Sequence, residues 1–169
     1  MENTAKLYSF GLRETQTYLF ATVFVIGNIV LPQLAHLVPS GGLIWLPIYF
    51  FTLIAAYKYG LRVGLLTAIL SPIANSALFG MPAMSMLPII LLKSSLLAVA
   101  AAYLAHKVGK VSIPAILAAI VFYQAVGSAV EWAVAGDFHQ AVQDWRIAFP
   151  GLLLQLFGGF AVLKTISKL

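Results

Sequence analysis

The chain has 169 residues, of which 62% are hydrophobic and 9% charged, and its mean hydropathy of +0.97 lies far above that of soluble domains. That composition excludes a soluble globular fold and predicts an all-α integral membrane protein. The net charge of +5 does not point to nucleic acid, because the basic residues flank apolar segments, and the absence of cysteine excludes disulfides and thiol chemistry.

The first fifteen residues are polar and mixed in charge, and the apolar run that follows is too long for a signal h-region, so it is expected to be a retained first span. Six spans are predicted within one domain, 1–169: residues 16–38, 43–57, 61–79, 87–106, 112–135 and 148–166. The second is short for a crossing and is expected to use Tyr57 and Lys58 as interfacial anchors. Pro47, Pro88, Pro114 and Pro150 fall in first turns of spans, where a missing N–H costs little. Pro32 and Pro72 lie deeper and release the carbonyls of Asn28 and Ala68; either a packing kink or a cavity lining accounts for them.

Lys6, Arg13, Lys58, Arg62, Lys107, Lys110, Lys164 and Lys168 flank one set of connections, whereas "VPSGG", "GMPAMSM" and "GDFHQAVQDWR" together hold only Arg146. The positive-inside rule then places both termini in the cytoplasm. With that orientation the polar residues within the spans fall mostly in the outer halves. Asn28 and His36 share a face of span one; Trp45, Tyr49 and Thr52 follow a stripe on span two; Ser71 and Asn75 lie one turn apart on span three. Span four carries Lys93 and Ser94, span five Gln124, Ser128 and Glu131 flanked by Trp132, and span six Gln155. Polar side chains in hydrocarbon face protein or water, so this agreement in depth predicts an outward cavity, not a continuous pore. Candidate substrate-binding residues are Asn28, His36, Tyr49, Asn75, Lys93, Gln124, Glu131, Trp132 and Gln155.

Each has a structural alternative. Lys93 and Glu131 either neutralise each other or meet a charged ligand; Asn75 and Gln124 either join helices or touch ligand; Trp45, Trp132 and Trp145 suit an interfacial belt. His36, His106 and His139 lack metal-ligand spacing, and neither a metal nor a cofactor is expected. The chain carries no HExxH, GxSxG, P-loop or dinucleotide fingerprint, so any ATP-driven motor must sit on another chain. Ala98, Ala100, Ala101, Ala102 and Ala105, with Ala115 and Ala119, permit close packing of spans four and five, within the chain or against a partner.

In "YKYGLRVGLLTAILSPIANSALFG" (Tyr57 to Gly80), in "FPGLLLQLFGGF" (Phe149 to Phe160) and in its overall layout, the chain resembles the substrate-binding S components of energy-coupling factor (ECF) vitamin transporters. The resemblance implies a non-enzymatic subunit in a prokaryotic cytoplasmic membrane. Such a subunit captures a water-soluble vitamin or related micronutrient from outside and works with a transmembrane coupling subunit and two cytoplasmic ATPases. It also implies a coupling-subunit contact along span one, where Thr17-x-x-x-Ala21-x-x-x-Val25 is the nearest match to the family's small-residue pattern and departs from it at Val25. The alternatives are a stand-alone secondary transporter or channel, for which residues 1–85 and 86–169 show no convincing repeat, and an intramembrane enzyme using Lys93, Glu131 and the histidines, for which no nucleophile-base spacing is present.

Overall fold

The computed structural model describes residues 6–167, so Lys168 lies outside the described residues. Among them every regular element is helical: α1 Thr15–Ala35, α2 Gly41–Trp45, a 3-10 turn Pro47–Tyr49, α3 Phe50–Tyr59, α4 Leu61–Phe79, α5 Leu87–Val108, α6 Ile113–Ala135, α7 Phe138–Ala141, α8 Gln143–Ile147, α9 Phe149–Leu153, a π turn Leu154–Gly158 and α10 Gly159–Ile166. Five stretches are long and apolar enough to cross a membrane: α1, α4, α5, α6 and the continuous run Phe149–Ile166. At ~1.5 Å rise per residue the 22 residues of α5 match a hydrocarbon layer about 30 Å thick. Leu19, Val23, Val30, Val121, Phe122 and Phe157 are exposed on the outside of the bundle, an apolar surface that suits lipid and not water. The chain is a multi-pass α-helical membrane protein.

The expected span 43–57 is not one helix. Leu46, just before Pro47, takes a left-handed conformation, φ 44°, and Pro47 has no N–H with which to continue a helix across it. The segment therefore splits into α2, the 3-10 turn and the ten-residue α3. α3 is the centre of the bundle, packed by α1, α4, α5 and α10, and every residue from Thr52 to Lys58 is buried. A helix shielded on all sides by protein need not match the bilayer alone.

Small residues let the helices approach. Ala55 and Ala56 of α3, Ala98, Ala101 and Ala105 of α5, and Ala115 and Ala119 of α6 are all buried in one core, so the alanine stripes of α5 and α6 serve the chain's own interior. Thr17 and Ala21 do the same. Thr17 is fully buried and Ala21 nearly so, and the Thr17 hydroxyl donates to the Gly11 carbonyl at 2.6 Å. The face of α1 that the resemblance implied for a coupling subunit is thus covered by the bundle itself.

The two ends of the bundle differ. At one end Tyr8 N–H bonds the Lys58 carbonyl, Lys6 N–H the Ser167 carbonyl, Arg62 Nη1 the Phe10 carbonyl and Tyr57 Oη the Lys110 carbonyl, which gathers the basic residues there. At the other end, α2 meets α8 and α9, and the 81–86 connection meets the end of α1 across a cavity.

Where α3 turns back into α4, a Cβ at Gly64 would overlap that of Ala56 and come within 2.7 Å of its Cα. Because the obstacle is a neighbouring helix backbone, Gly64→Val is expected to destabilise the protein by about 1–3 kcal/mol, seen as a lowered unfolding midpoint in detergent; an unchanged midpoint would show that α3 and α4 are not this close.

Candidate functional site

Pro32 has no N–H to offer the carbonyl of Asn28 one turn earlier. Asn75 Nδ2, from α4, donates to that freed carbonyl at 2.8 Å and to the Ser71 carbonyl at 2.9 Å. Asn28 itself is fully buried. Its Oδ1 accepts from Phe51 N–H at 3.2 Å, one of the amides that the broken start of α3 leaves without a helical partner. Its Nδ2 donates to Thr52 Oγ1 at 3.1 Å and lies 3.3 Å from Ser71 Oγ, and Thr52 Oγ1 lies 3.4 Å from Ser94 Oγ. One polar network therefore ties α1, α3, α4 and α5 together. Asn75 Oδ1 alone in this network has no partner.

Asn75 borders a cavity of about 520 Å³ at the end away from the basic residues. Its walls come from the C-terminal end of α1 (Pro32, His36), the α1–α2 connection and α2 (Pro39, Ser40, Leu43), the 3-10 turn (Pro47, Ile48), the 81–86 connection (Met81, Ala83, Met86) and Ile90 of α5. The lining is predominantly apolar, with Asn75, His36 and Ser40 as its polar members, and its size lies within the roughly 300–1,000 Å³ of small-molecule sites.

Lys93 is turned elsewhere. It is 3% exposed, and its Nζ lies 2.7 Å from Glu131 Oε2 and 2.8 Å from Asp144 Oδ2. Gly127 makes this possible, since a Cβ there would sit 2.5 Å from Lys93 Cγ; the lysine stem runs across the glycine to reach α8. Trp145 Nε1 donates to Ser128 Oγ at 3.2 Å, so adjacent residues of α8 are each held by the bundle. Of the two options for Lys93 and Glu131, the structure shows mutual pairing, with a second carboxylate added.

A third cluster lies behind these. Tyr123 Oη donates to Gln155 Oε1 at 3.0 Å and accepts from Gln124 Nε2 at 3.2 Å, and Tyr49 packs on the Tyr123 ring at 5.2 Å between centroids. Gln155 belongs to the π turn, a form that often accompanies functional sites. Gln124 Oε1 and Gln155 Nε2 have no hydrogen-bond partner.

The nine candidates thus separate. Asn75 and His36 line the cavity; Asn28 supports Asn75 from behind; Lys93 and Glu131 form the ion cluster; Tyr49, Gln124 and Gln155 belong to the tyrosine cluster. Trp132 joins none of these: it is 52% exposed and meets Phe138 edge-on. Its position on α6, one residue past Glu131, rotates it outward. Asp144 and Tyr123 carry interactions that the sequence reading did not assign to them. For Asp144 the available signal was a buried lysine in reach of an outer connection bearing a carboxylate. Among the described residues no group of three or more His, Cys, Asp or Glu is gathered as a metal site would require.

No family model, no curated protein and no solved structure matches this chain.

The ion cluster sets a stability test. Lys93→Met leaves two carboxylates facing each other without a cation and is expected to cost about 3–5 kcal/mol. Adding Glu131→Gln and Asp144→Asn should recover most of that loss. Unfolding midpoints of the single and triple variants in detergent decide it; a single variant as stable as the wild type would mean that the lysine is not held between the two acids.

Proposed function

We propose that this chain is the substrate-capture subunit of an ECF-type importer. On this reading it crosses a prokaryotic cytoplasmic membrane six times, with α2, the 3-10 turn and α3 together as the second crossing and both termini inside. It binds a vitamin-like micronutrient from outside and passes it on through a coupling subunit and two ATPases. The observation that carries the reading is the 520 Å³ cavity at the end away from the basic residues, where Asn75, His36 and Ser40 are the polar members of an apolar lining. Support also comes from the interior, which is filled by fully buried Leu53, Ile54, Ala55, Leu97 and Ala98. A capture site needs such a floor; a channel would not have it.

The lining narrows the ligand. Prolines and methionines offer flat and polarizable walls suited to a ring, the polar lining residues Asn75, His36 and Ser40 include no acid or lysine, and Lys93 is engaged by two carboxylates and absent from the wall. A neutral or cationic ring compound fits these groups better than an anion.

Titration of the purified protein with a panel of water-soluble vitamins, followed by calorimetry, is expected to give saturable submicromolar binding by one compound. Ala83→Trp, at the exposed rim of the cavity, should weaken it by at least roughly ten-fold, the equivalent of ~1.4 kcal/mol, without lowering the unfolding midpoint. Absence of binding across the panel, together with absence of a co-purifying ATPase complex, would defeat the proposal. Gradient-driven uptake by proteoliposomes holding this chain alone would replace it with a stand-alone transporter.

A further inference from the structure

The basic end holds a second cavity, of about 270 Å³, lined by Tyr8, Phe10, Gln16, Phe20, Lys58 and Tyr59. Its walls are stacked rings: Tyr8 lies 5.3 Å from Phe10 and 5.9 Å from Tyr59, and Phe20 lies 4.1 Å from Tyr59. Lys58 is the exception among them. It is 2% exposed, with Nζ over the Tyr8 ring at 5.3 Å and the Tyr59 ring at 5.9 Å.

The partners of this ammonium do not match its charge. It donates to the Ile166 carbonyl, which uses one of its three N–H groups. That carbonyl lies at the C-terminal end of α10, whose unpaired C=O groups carry only about half an elementary negative charge. Both ion pairs among the described residues are made by Lys93, so no described carboxylate neutralises Lys58. The surrounding groups add positive charge: Lys6 is tied to Ser167 next to Ile166, and Arg62 reaches the Phe10 carbonyl. The nearby acid Glu14 turns its Oε1 to Gly11 N–H. A buried cation beside an open cavity, with no carboxylate among the described residues in pairing range, calls for an anion.

We propose that the cavity binds the phosphate of an anionic phospholipid, with Lys58 as its counter-charge and the rings around the glycerol region. The lipid, as distinct from a soluble phosphate, is indicated by α1. Gln16 lines the cavity, and Leu19, Val23 and Ile26 continue from it along the same helical face, all exposed. That track gives acyl chains a path running from the headgroup toward the other end of the bundle. Basic pockets between helices at a membrane surface recognise anionic headgroups by the same chemistry. The assignment does not depend on what the larger cavity binds.

The test uses the full chain, delipidated in neutral detergent and titrated separately with short-chain phosphatidylglycerol, short-chain phosphatidylcholine and inorganic phosphate. Native mass spectrometry and the unfolding midpoint are the readouts. Phosphatidylglycerol adducts should exceed phosphatidylcholine adducts by roughly five-fold at equal concentration and should raise the midpoint, whereas millimolar phosphate should do neither. Lys58→Met should abolish the preference and Lys58→Arg should keep it. Gln16→Glu, at an exposed position where folding is not at stake, should abolish it by repulsion. Equal retention of the two lipids by the wild type, or a preference that survives Gln16→Glu, would overturn the proposal; a shift produced by phosphate alone would assign the cavity to a soluble anion instead.

Discussion

Hydrocarbon offers no partner to a backbone N–H or C=O, so a group freed by a break in a membrane helix has to find one within the protein or its bound water. Of the breaks in this bundle, those at Pro32 in α1 and at Leu46 before α3 are repaired by two asparagines. Asn28 Oδ1 receives Phe51 N–H from the broken start of α3, while Asn75 Nδ2 fills the Asn28 carbonyl that Pro32 leaves open. The repair has a remainder. Both hydrogens of Asn75 Nδ2 go to backbone carbonyls, while its Oδ1 is enclosed without a donor. The residue that closes the break at Pro32 is also one of the few polar residues in the lining of the larger cavity.

Charge is handled differently at the two ends. Lys93 lies between two carboxylates at 2.7 and 2.8 Å, an arrangement that neutralises the lysine and leaves one excess negative charge. It also fixes α8 to α5 and α6, since Asp144 reaches Lys93 while Trp145 reaches Ser128. Truncating the lysine would therefore release an outer segment as well as expose two acids. At the basic end Lys58 has aromatic faces and one helix terminus for company. A lysine over-supplied with acids and one that no described carboxylate neutralises have opposite consequences: the first is closed to an anion and the second is open to it.

Much of the fold was legible in apolar run lengths. The stretch 61–79 coincides with α4, and 87–106 and 112–135 differ from α5 and α6 by one or two residues, because Gly and Pro mark those ends as clearly as hydropathy does. Pro32 also announced that the Asn28 carbonyl would need a partner. That the partner is Asn75, 47 residues away, is a matter of how α1 and α4 rotate against each other, which a single sequence does not encode locally. That residues 43–57 do not form one helix escaped the sequence for a different reason. Hydropathy is continuous across Leu46, but its left-handed backbone and the missing N–H of Pro47 are backbone effects that an apolar count does not register. Thr17 and Ala21, both buried, show the same limit from another side: small residues spaced for close packing look alike whether they are covered by the chain's own bundle or by another protein.

Depth in the membrane, which placed nine residues at one level, fixes only one of the coordinates that matter. Rotation about each helix fixes another, and on α5 it separates residues that adjoin in sequence. Ile90 lines the larger cavity, and Ser94, one turn later, faces Thr52 of the asparagine network. Lys93, a single residue from Ser94 and therefore about 100° around the helix, passes over Gly127 toward α6 and α8. A Cβ at position 127 would come within 2.5 Å of Lys93 Cγ, so the lysine stem would have to shift. The glycine on α6 thus leaves room for the path by which Lys93 reaches its two carboxylates and stays out of the cavity lining, where the polar groups are an amide, an imidazole and a hydroxyl.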